Sequence, residues 1–435
     1  MNRRIYVNGG CGKIMIPSSK SDAHRILIAA ALATTPTTII IRGISKDIEA
    51  TIHCLRGLGS RIRSIDEEMW EILPIWDNRQ ETAHLDCAEC GATFRFLLPV
   101  AGALLTSFEM SGEGRLPERP IKELVTQMQA NGCSFSAESL PFQVTGGLKS
   151  GTYTLPGNVS SQYITGLMYA LPLLEGDSEI RLESSLESKG YVDMTIKTLS
   201  DFGISIEERE FGYAVKGNQC FVSPKVIEVE GDWSNAAFFL ALGAIQGPVT
   251  CLGLPKNTKQ GDSAIVEMLE RFGASVDTTE GLTVDKKELQ GIEIDASTIP
   301  DLVPILAVIA SVSQGETRIY NAERLRIKES NRLETVQVGL SRLGVQIQET
   351  KDGLLIQGNH TDVTKEVPLD ENSKKDEVQE VRISGYGDHR IVMAMSVAAI
   401  ALNKEVVIEG SEAVEKSYPT FFEHWEQIGG RTDVI

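Results

Sequence analysis

Two kinds of helical pattern alternate along the chain. The segments "SDAHRILIAAALA", "ATFRFLLPVAGALL", "SSQYITGLMYALPLL", "DWSNAAFFLALGAI", "PDLVPILAVIASV" and "DHRIVMAMSVAAIAL" are apolar nearly all round, as in helices enclosed on every side. After each comes a more polar, amphipathic stretch whose last turn runs into glycine. These read "CLRGLGSRI" at Gly59, "QMQANGCSF" at Gly132, "TLSDFGISI" at Gly203, "MLERFGASV" at Gly273, "GLSRLGVQI" at Gly344 and "HWEQIGGRT" at Gly429. Glycine just past a helix favours a left-handed cap, and each is followed by a strand-like run. The spacing is about 70 residues, the last interval about 85, which predicts six copies of one supersecondary unit. Short runs such as "TTIIIRGI", "PVTCLGL", "ETRIYNA" and "EVVIEG" read as strands bounded by Gly, Asn and Ser. The unit is a buried helix, a strand, an amphipathic helix, a glycine cap and more strand.

At 435 residues the chain has room for two domains of three units each. A boundary near "VEGDWSN", around Gly231, predicts one domain over 19–231 and a second from 1–18 plus 232–435. Residues 1–18 precede the first complete unit, so they are expected in the second domain's sheet, with Lys20 on the crossover. The long final interval carries "NHTDVTKEVPLDENSKKDEVQEV", a charged segment expected to form an exposed loop or irregular hairpin.

Hydrophobic content of 42% and charged content of 23% fit an ordinary soluble protein. The net charge of −18 argues against general affinity for nucleic acid or anionic membrane, so any cationic site must be local. The start "MNRRIYVNGG" lacks the apolar core of a secretory signal, and no apolar run is long enough to span a membrane. Seven scattered cysteines suit a reduced, cytoplasmic protein. Cys87-Ala-Glu-Cys90 with His84 upstream raises a metal reading, but no second pair completes four ligands. Both cysteines therefore read as structural, and no metal is expected.

Cations and short polar groups fall at the helix starts. Lys20 and Arg25, Arg95, Ser160-Ser161-Gln162 and Asp388-His389-Arg390 precede or open buried helices. Lys46, Arg119, Lys122, Lys189, Lys259, Lys328 and Lys416 stand near the starts of amphipathic ones. A helix N-terminus already carries unpaired N–H groups and partial positive charge, so added cations are unfavourable unless an anion is present. Singly, each has a plainer reading: a lysine as a solvated charge, an arginine as an ion pair, a serine as an N-cap. Repetition in register favours a cleft for phosphate or carboxylate groups. Glu329, between Lys328 and Arg332, and Asp301, ahead of an apolar helix, supply acid–base material, though Asp301 reads equally well as a helix cap. Gly-x-x-x-x-Gly-Lys-[Ser/Thr], Gly-x-Gly-x-x-Gly after a strand and His-Glu-x-x-His do not occur.

The motifs "PSSKSDAHR", "GATFRFL", "GNVSSQYITGLMYALPLL", "ESKGYVDMT", "GDWSNAAFFLALGAI", "IPDLVPILAVIA", "RLRIKESNRLE", "GDHRIVMAMSVAAI" and "KSYPTFFEHW" run in order along nearly the whole chain. They resemble those of the 5-enolpyruvylshikimate-3-phosphate synthase family. The resemblance implies a two-domain inside-out α/β barrel, each domain made of three βαβαββ units with buried helices, closing over substrates. It implies transfer of the enolpyruvyl group of phosphoenolpyruvate to the 5-hydroxyl of shikimate 3-phosphate, with phosphate released and no cofactor, by a monomer. Residue by residue, Lys20 would touch both substrates. Ser21, Arg25, Ser160, Ser161, Gln162, Ser188, Tyr191, Asp301 and Lys328 would hold shikimate 3-phosphate. Gly91, Arg119, Gln162, Arg332, Arg390 and Lys416 would hold phosphoenolpyruvate. Asp301 would act as base toward the 5-hydroxyl, with Glu329 and Lys20 carrying the methylene proton. The chain departs from the family pattern at Ala92, where Thr is usual, at Pro17-Ser18 in place of Pro-Gly, and at Asn331 in place of Asp.

Two other readings remain at this level. The sister transferase acting on UDP-N-acetylglucosamine carries a Pro-Gly-Gly-Cys-like loop, which this chain lacks. A noncatalytic anion-binding relative would not need Lys20, Asp301 and Glu329 together.

Overall fold

The computed structural model describes residues 1–358 and 380–435. The charged segment from Asn359 to Gln379 lies outside the described residues. The chain divides into two compact units, one comprising Pro17–Asp232 and Pro255–Gly261, the other Met1–Ile16, Trp233–Leu254 and Asp262–Ile435. Each has its own apolar core.

Among the described residues the strands form six four-stranded sheets, three in each unit. All six share one topology. The second strand is parallel to the first and antiparallel to the third, which also pairs antiparallel with the fourth. In the sheet of Thr82–Asp86, for example, Ser107–Ser111 runs parallel to it, and Phe142–Gly146 lies between Ser107–Ser111 and Cys133–Phe135. The parallel pair is joined through a buried helix, as a parallel crossover requires.

The apolar helices take the enclosed positions. Lys20–Leu32, Gly91–Leu104 and Ser161–Ala170 lie in one unit, Trp233–Gln246, Val303–Ser311 and His389–Ala401 in the other. Every residue from Ala23 to Leu32 is buried, as is every residue of Val303–Ser311, which is why these segments show no polar face. The amphipathic helices, such as Lys46–Gly57 and Arg332–Arg342, bury a single face.

Two strands are exchanged between the units. The strand preceding helix Lys20–Leu32 in the chain is Gly12–Met15, yet it belongs to the same unit as Val249–Leu252, with which it pairs. Its place beside Thr37–Ile40 is taken by Val226–Glu228, which precedes helix Trp233–Gln246. Asn2–Ile5 likewise joins the last sheet, between Val406–Glu409 and Thr432–Val434.

All six predicted cap glycines adopt left-handed backbone, with φ of 109° at Gly59, 103° at Gly132, 76° at Gly203, 105° at Gly273, 88° at Gly344 and 90° at Gly429. Their surroundings differ. A Cβ on Gly59 would lie 2.2 Å from the Asn78 carbonyl oxygen, whereas one on Gly344 would meet only the Lys404 Nζ at 3.3 Å. Gly344→Ala is expected to cost about 1–2 kcal/mol from backbone strain alone. Gly59→Ala should cost a further 1–3 kcal/mol or so from the added clash. Denaturant unfolding of both variants checks this, and equal losses would show that the Asn78 contact relaxes freely.

Candidate active site

In the Pro17–Asp232 unit, helix Lys20–Leu32 opens on Ser19, whose hydroxyl accepts the Asp22 N–H at 3.4 Å. The Lys20 backbone N–H donates to Asp232 Oδ2 at 3.0 Å, and its ammonium pairs with Asp47 Oδ2 at 2.9 Å. Lys20 and Asp47 are only 16% and 17% exposed, so the pair sits at the rim of the core. A cation at the positive end of a helix is thus tolerated because two carboxylates meet it.

Arg25, 2% exposed, is held differently. Its guanidinium donates to Thr195 Oγ1 at 2.9 Å, to the Tyr191 carbonyl at 2.8 Å and to the Ser21 carbonyl, and lies over the Phe96 ring. Each acceptor is neutral. Burial lowers the Arg25 pKa, opposed by Tyr169 and Asp22. Burial, reinforced by Glu230, pushes the Asp22 carboxyl up to about 6. A guanidinium held by neutral oxygens keeps its attraction for an anion. Its contacts tie Ser21 to Tyr191, three residues beyond the buried Ser188, whose φ of 55° is a strained value for a side-chain-bearing residue.

A second cationic group forms at the start of helix Gly91–Leu104. A Cβ on Gly91 would lie 2.8 Å from Nη1 of both Arg95 and Arg119, so two guanidinium groups converge where only a hydrogen fits. Arg95 also donates to Gln162 Oε1 at 2.8 Å and to the Pro120 carbonyl at 3.1 Å. Ser160 caps helix Ser161–Ala170 by accepting the Gln162 N–H at 3.3 Å. Converging cations at a helix start form a receptor for phosphate or carboxylate.

Four of the lysines near amphipathic helix starts stand at the surface. Lys46, Lys122 and Lys259 are exposed. Lys189 pairs with Asp193 at 2.7 Å and Glu208 at 3.3 Å on the surface. These four side chains lie on the solvated side of their helix starts, whereas Arg332 opens its amphipathic helix from the buried side.

In the other unit Arg332, 1% exposed, ion-pairs with three carboxylates: Asp301 at 2.7 Å, Glu329 at 2.8 Å and Asp388 at 2.8 Å. Asp388 caps helix His389–Ala401 by accepting the Arg390 N–H at 3.0 Å, and it accepts from the Ser330 hydroxyl at 2.9 Å. Burial works against the Arg332 charge, but Asp388, then Glu329 and Asp301, raise its pKa on balance. Asp301 also faces Lys328 at 3.7 Å and Arg390 at 3.3 Å, and its carbonyl accepts from Arg390 at 3.1 Å. Burial lowers the Lys328 pKa against the pull of Asp301. Asp301 does not cap its helix: it lies in the turn Pro300–Leu302, and Leu302 takes the cap position of Val303–Ser311 without a side-chain bond. The Arg332 guanidinium draws its carboxylate away. Lys416 donates to the Gly387 carbonyl at 2.9 Å, next to Asp388.

The structure therefore gathers Lys20, Ser21, Arg25 and Tyr191 around one helix start, Gly91, Arg119 and Gln162 with Arg95 around another, and Asp301, Lys328, Glu329, Arg332 and Arg390 around a third. Asp47, Asp232 and Thr195 escaped sequence reasoning: each looks like an ordinary helix or cap residue until folding brings it beside a cation. Cys90 and His84 do not act together, since His84 Nε2 meets Ser111 Oγ at 3.2 Å and Cys90 Sγ faces His24.

The sequence pattern of "EPSP synthase (3-phosphoshikimate 1-carboxyvinyltransferase)" matches residues 10–425. The chain belongs to this family. A protein of Clostridium acetobutylicum named 3-phosphoshikimate 1-carboxyvinyltransferase is 40% identical, over 98% of this chain and 97% of its own. One of the same name from Clostridium novyi is 40% identical over 97% and 96%. An EPSP synthase structure from Acinetobacter baumannii shares the fold across both whole chains, with a TM-score of 0.78 at 24% identity. The enolpyruvyl transferase NikO from Streptomyces tendae does so with a TM-score of 0.74 at 17% identity, over 99% of this chain and 98% of its own. Membership makes the chain an enzyme, a transferase of the shikimate pathway and so of aromatic amino acid biosynthesis, with the two-domain α/β fold of EPSP synthases. The sister UDP-N-acetylglucosamine reading is not favoured. Among the described residues no helix is long and apolar enough to cross a membrane.

In this EPSP synthase family member, Arg332 is the hub on which three carboxylates depend. Asp388→Ala is expected to lose about 3–5 kcal/mol of stability by breaking a buried pair. Asp388→Asn, which retains a capping oxygen, should lose less. Chemical denaturation distinguishes the two, and a loss below about 1 kcal/mol for Asp388→Ala would show that solvent replaces the pair.

Proposed function

We propose that the chain transfers the enolpyruvyl group of phosphoenolpyruvate to the 5-hydroxyl of shikimate 3-phosphate, releasing phosphate, as a cytoplasmic monomer. The observation that carries this reading is the pairing of anion receptors with an acid–base cluster: Arg25 and Arg95/Arg119 at helix starts, and Asp301, Lys328 and Glu329 around Arg332. Two anionic metabolites need the first, and proton exchange at a hydroxyl and a methylene needs the second.

In this proposal Ser21, Arg25, Ser160, Ser161, Gln162, Ser188 and Tyr191 hold shikimate 3-phosphate. Gly91, Arg119, Arg390 and Lys416 hold phosphoenolpyruvate, and Arg95 joins them by its place against Gly91. Lys20 touches both substrates. Arg332 has a double role. A substrate carboxylate reaching it displaces Asp301 or Glu329, and the displaced group becomes available for proton transfer. Asp301 accepts the 5-hydroxyl proton as that oxygen attacks the enol carbon. Glu329 with Lys20 delivers a proton to the methylene carbon. The tetrahedral adduct then expels phosphate as a methyl proton returns to the protein. Coupled groups this close share their protons.

Mixing the protein with both substrates in the presence of a chelator should release inorganic phosphate. No release under those conditions would overturn the reading. Glu329→Gln should slow turnover by about 10²–10⁴-fold while leaving substrate affinity nearly intact. Equal losses in rate and affinity, read by single-turnover and equilibrium binding measurements, would make Glu329 a binding group instead.

A further inference from the structure

Beside Lys20 lies a group of side chains that the transfer reaction does not use. His24 and Cys90 are buried, Asp47 is half-buried, and one ligand atom from each lies within 4.8 Å of the others. Cys90 Sγ is 3.9 Å from His24 Nε2. Asp47 is the partner of the Lys20 ammonium at 2.9 Å.

A run of hydroxyls supports the histidine. Thr51 Oγ1 lies 2.6 Å from Thr93 Oγ1 and 2.7 Å from His24 Nδ1, and Thr93 Oγ1 reaches the Asp47 carbonyl at 3.5 Å. In the tautomer that donates Nδ1–H to Thr51, the Nε2 lone pair faces Cys90. An imidazole fixed through Nδ1–H with Nε2 bare is the arrangement of a metal-ligating histidine with its outer support in place. Cys90 contributes a second feature. Its sulfur occupies the N-cap of helix Gly91–Leu104 and accepts the Thr93 N–H at 3.4 Å; burial, reinforced by Asp47, pushes the thiol up to about 12, so it ligates only when a cation draws off the proton.

We propose that His24, Asp47 and Cys90 form a site for a thiophilic divalent cation of the Zn²⁺ or Co²⁺ class, which enters by displacing Lys20 from Asp47. On binding, the Cys90 S–H bond breaks, its proton leaves to water, and a sulfur–metal bond forms. His24 Nε2 gives its lone pair, Asp47 exchanges an ammonium for the metal, and a water completes four ligands. No oxidation state changes. Ligand atoms around tetrahedral Zn²⁺ lie roughly 3.3–3.8 Å apart, so the group contracts by about 1 Å, a movement the half-buried Asp47 side chain supplies. Sulfur and imidazole together select against Mg²⁺ and Ca²⁺. The ion takes Asp47 and, as a nearby positive charge, repels the Lys20 ammonium from the place where Asp47 holds it, which impairs the step that Lys20 serves.

Titration of Co²⁺ into the reduced full-length protein tests the site. Binding should raise a thiolate-to-cobalt charge-transfer band in the near ultraviolet and release about one proton per ion. Cys90→Ala should remove the band and weaken binding by about 100-fold or more, and Asp47→Asn should weaken it while keeping the band. No band at millimolar Co²⁺, or an unchanged band in Cys90→Ala, would overturn the proposal. Co²⁺ should also inhibit phosphate release reversibly in the parent and at least tenfold less sensitively in Cys90→Ala, each compared with its own untreated rate. This arm rests on the proposed activity, whereas the spectrum does not, so the two can fail separately.

Discussion

A helix enclosed on every side by apolar neighbours meets polar partners only at its ends. This constraint organises both units. Lys20–Leu32, Gly91–Leu104, Ser161–Ala170 and His389–Ala401 have almost no solvated face, and Lys20, Arg25, Arg95, Ser160, Asp388 and Arg390 stand at or near their first turns. Unpaired N–H groups and partial positive charge are present there in any case. Clustering arginine and lysine at such places is unfavourable by itself, and the fold offsets it with Asp47, Asp232, Asp388 and neutral oxygens.

The two units meet the same constraint differently. Around Arg25 the buried guanidinium is held by carbonyl and hydroxyl oxygens, so its charge remains largely unneutralised. Around Arg332 the guanidinium is surrounded by carboxylates and almost wholly enclosed. The first arrangement suits a receptor for an anion. The second suits a reservoir in which carboxylates are held close to one another by a shared cation.

Much of the fold was legible in the sequence because it depends on local patterns. All-round apolarity marked the buried helices, and glycine at a fixed offset marked the six left-handed caps. Lys20, Arg25 and Arg390 were legible as cations at improbable places. Other features were not, because they depend on partners far apart in the chain. Asp47 reads as an ordinary first-turn acid until Lys20 lies beside it. Asp301 reads as a cap until Arg332 turns its carboxylate aside. Lys189 and Lys46 show the reverse failure. Their position in the repeat matched that of Lys328 and Arg332, but their side chains lie on the solvated side of the helix start.

The exchanged strands bear on how the protein is made. Val226–Glu228 completes the sheet that begins with Thr37–Ile40, so the first unit can close early, while the chain is still emerging from the ribosome. Asn2–Ile5 and Gly12–Met15 precede that unit in the chain, yet their neighbours come from Val249–Leu252, Val406–Glu409 and Thr432–Val434. This segment therefore waits for partners made long after it: Gly12–Met15 for Val249–Leu252, and Asn2–Ile5 for the two later strands. Its short strands and the intervening "VNGGC" limit how readily it could template the wrong partner during that delay.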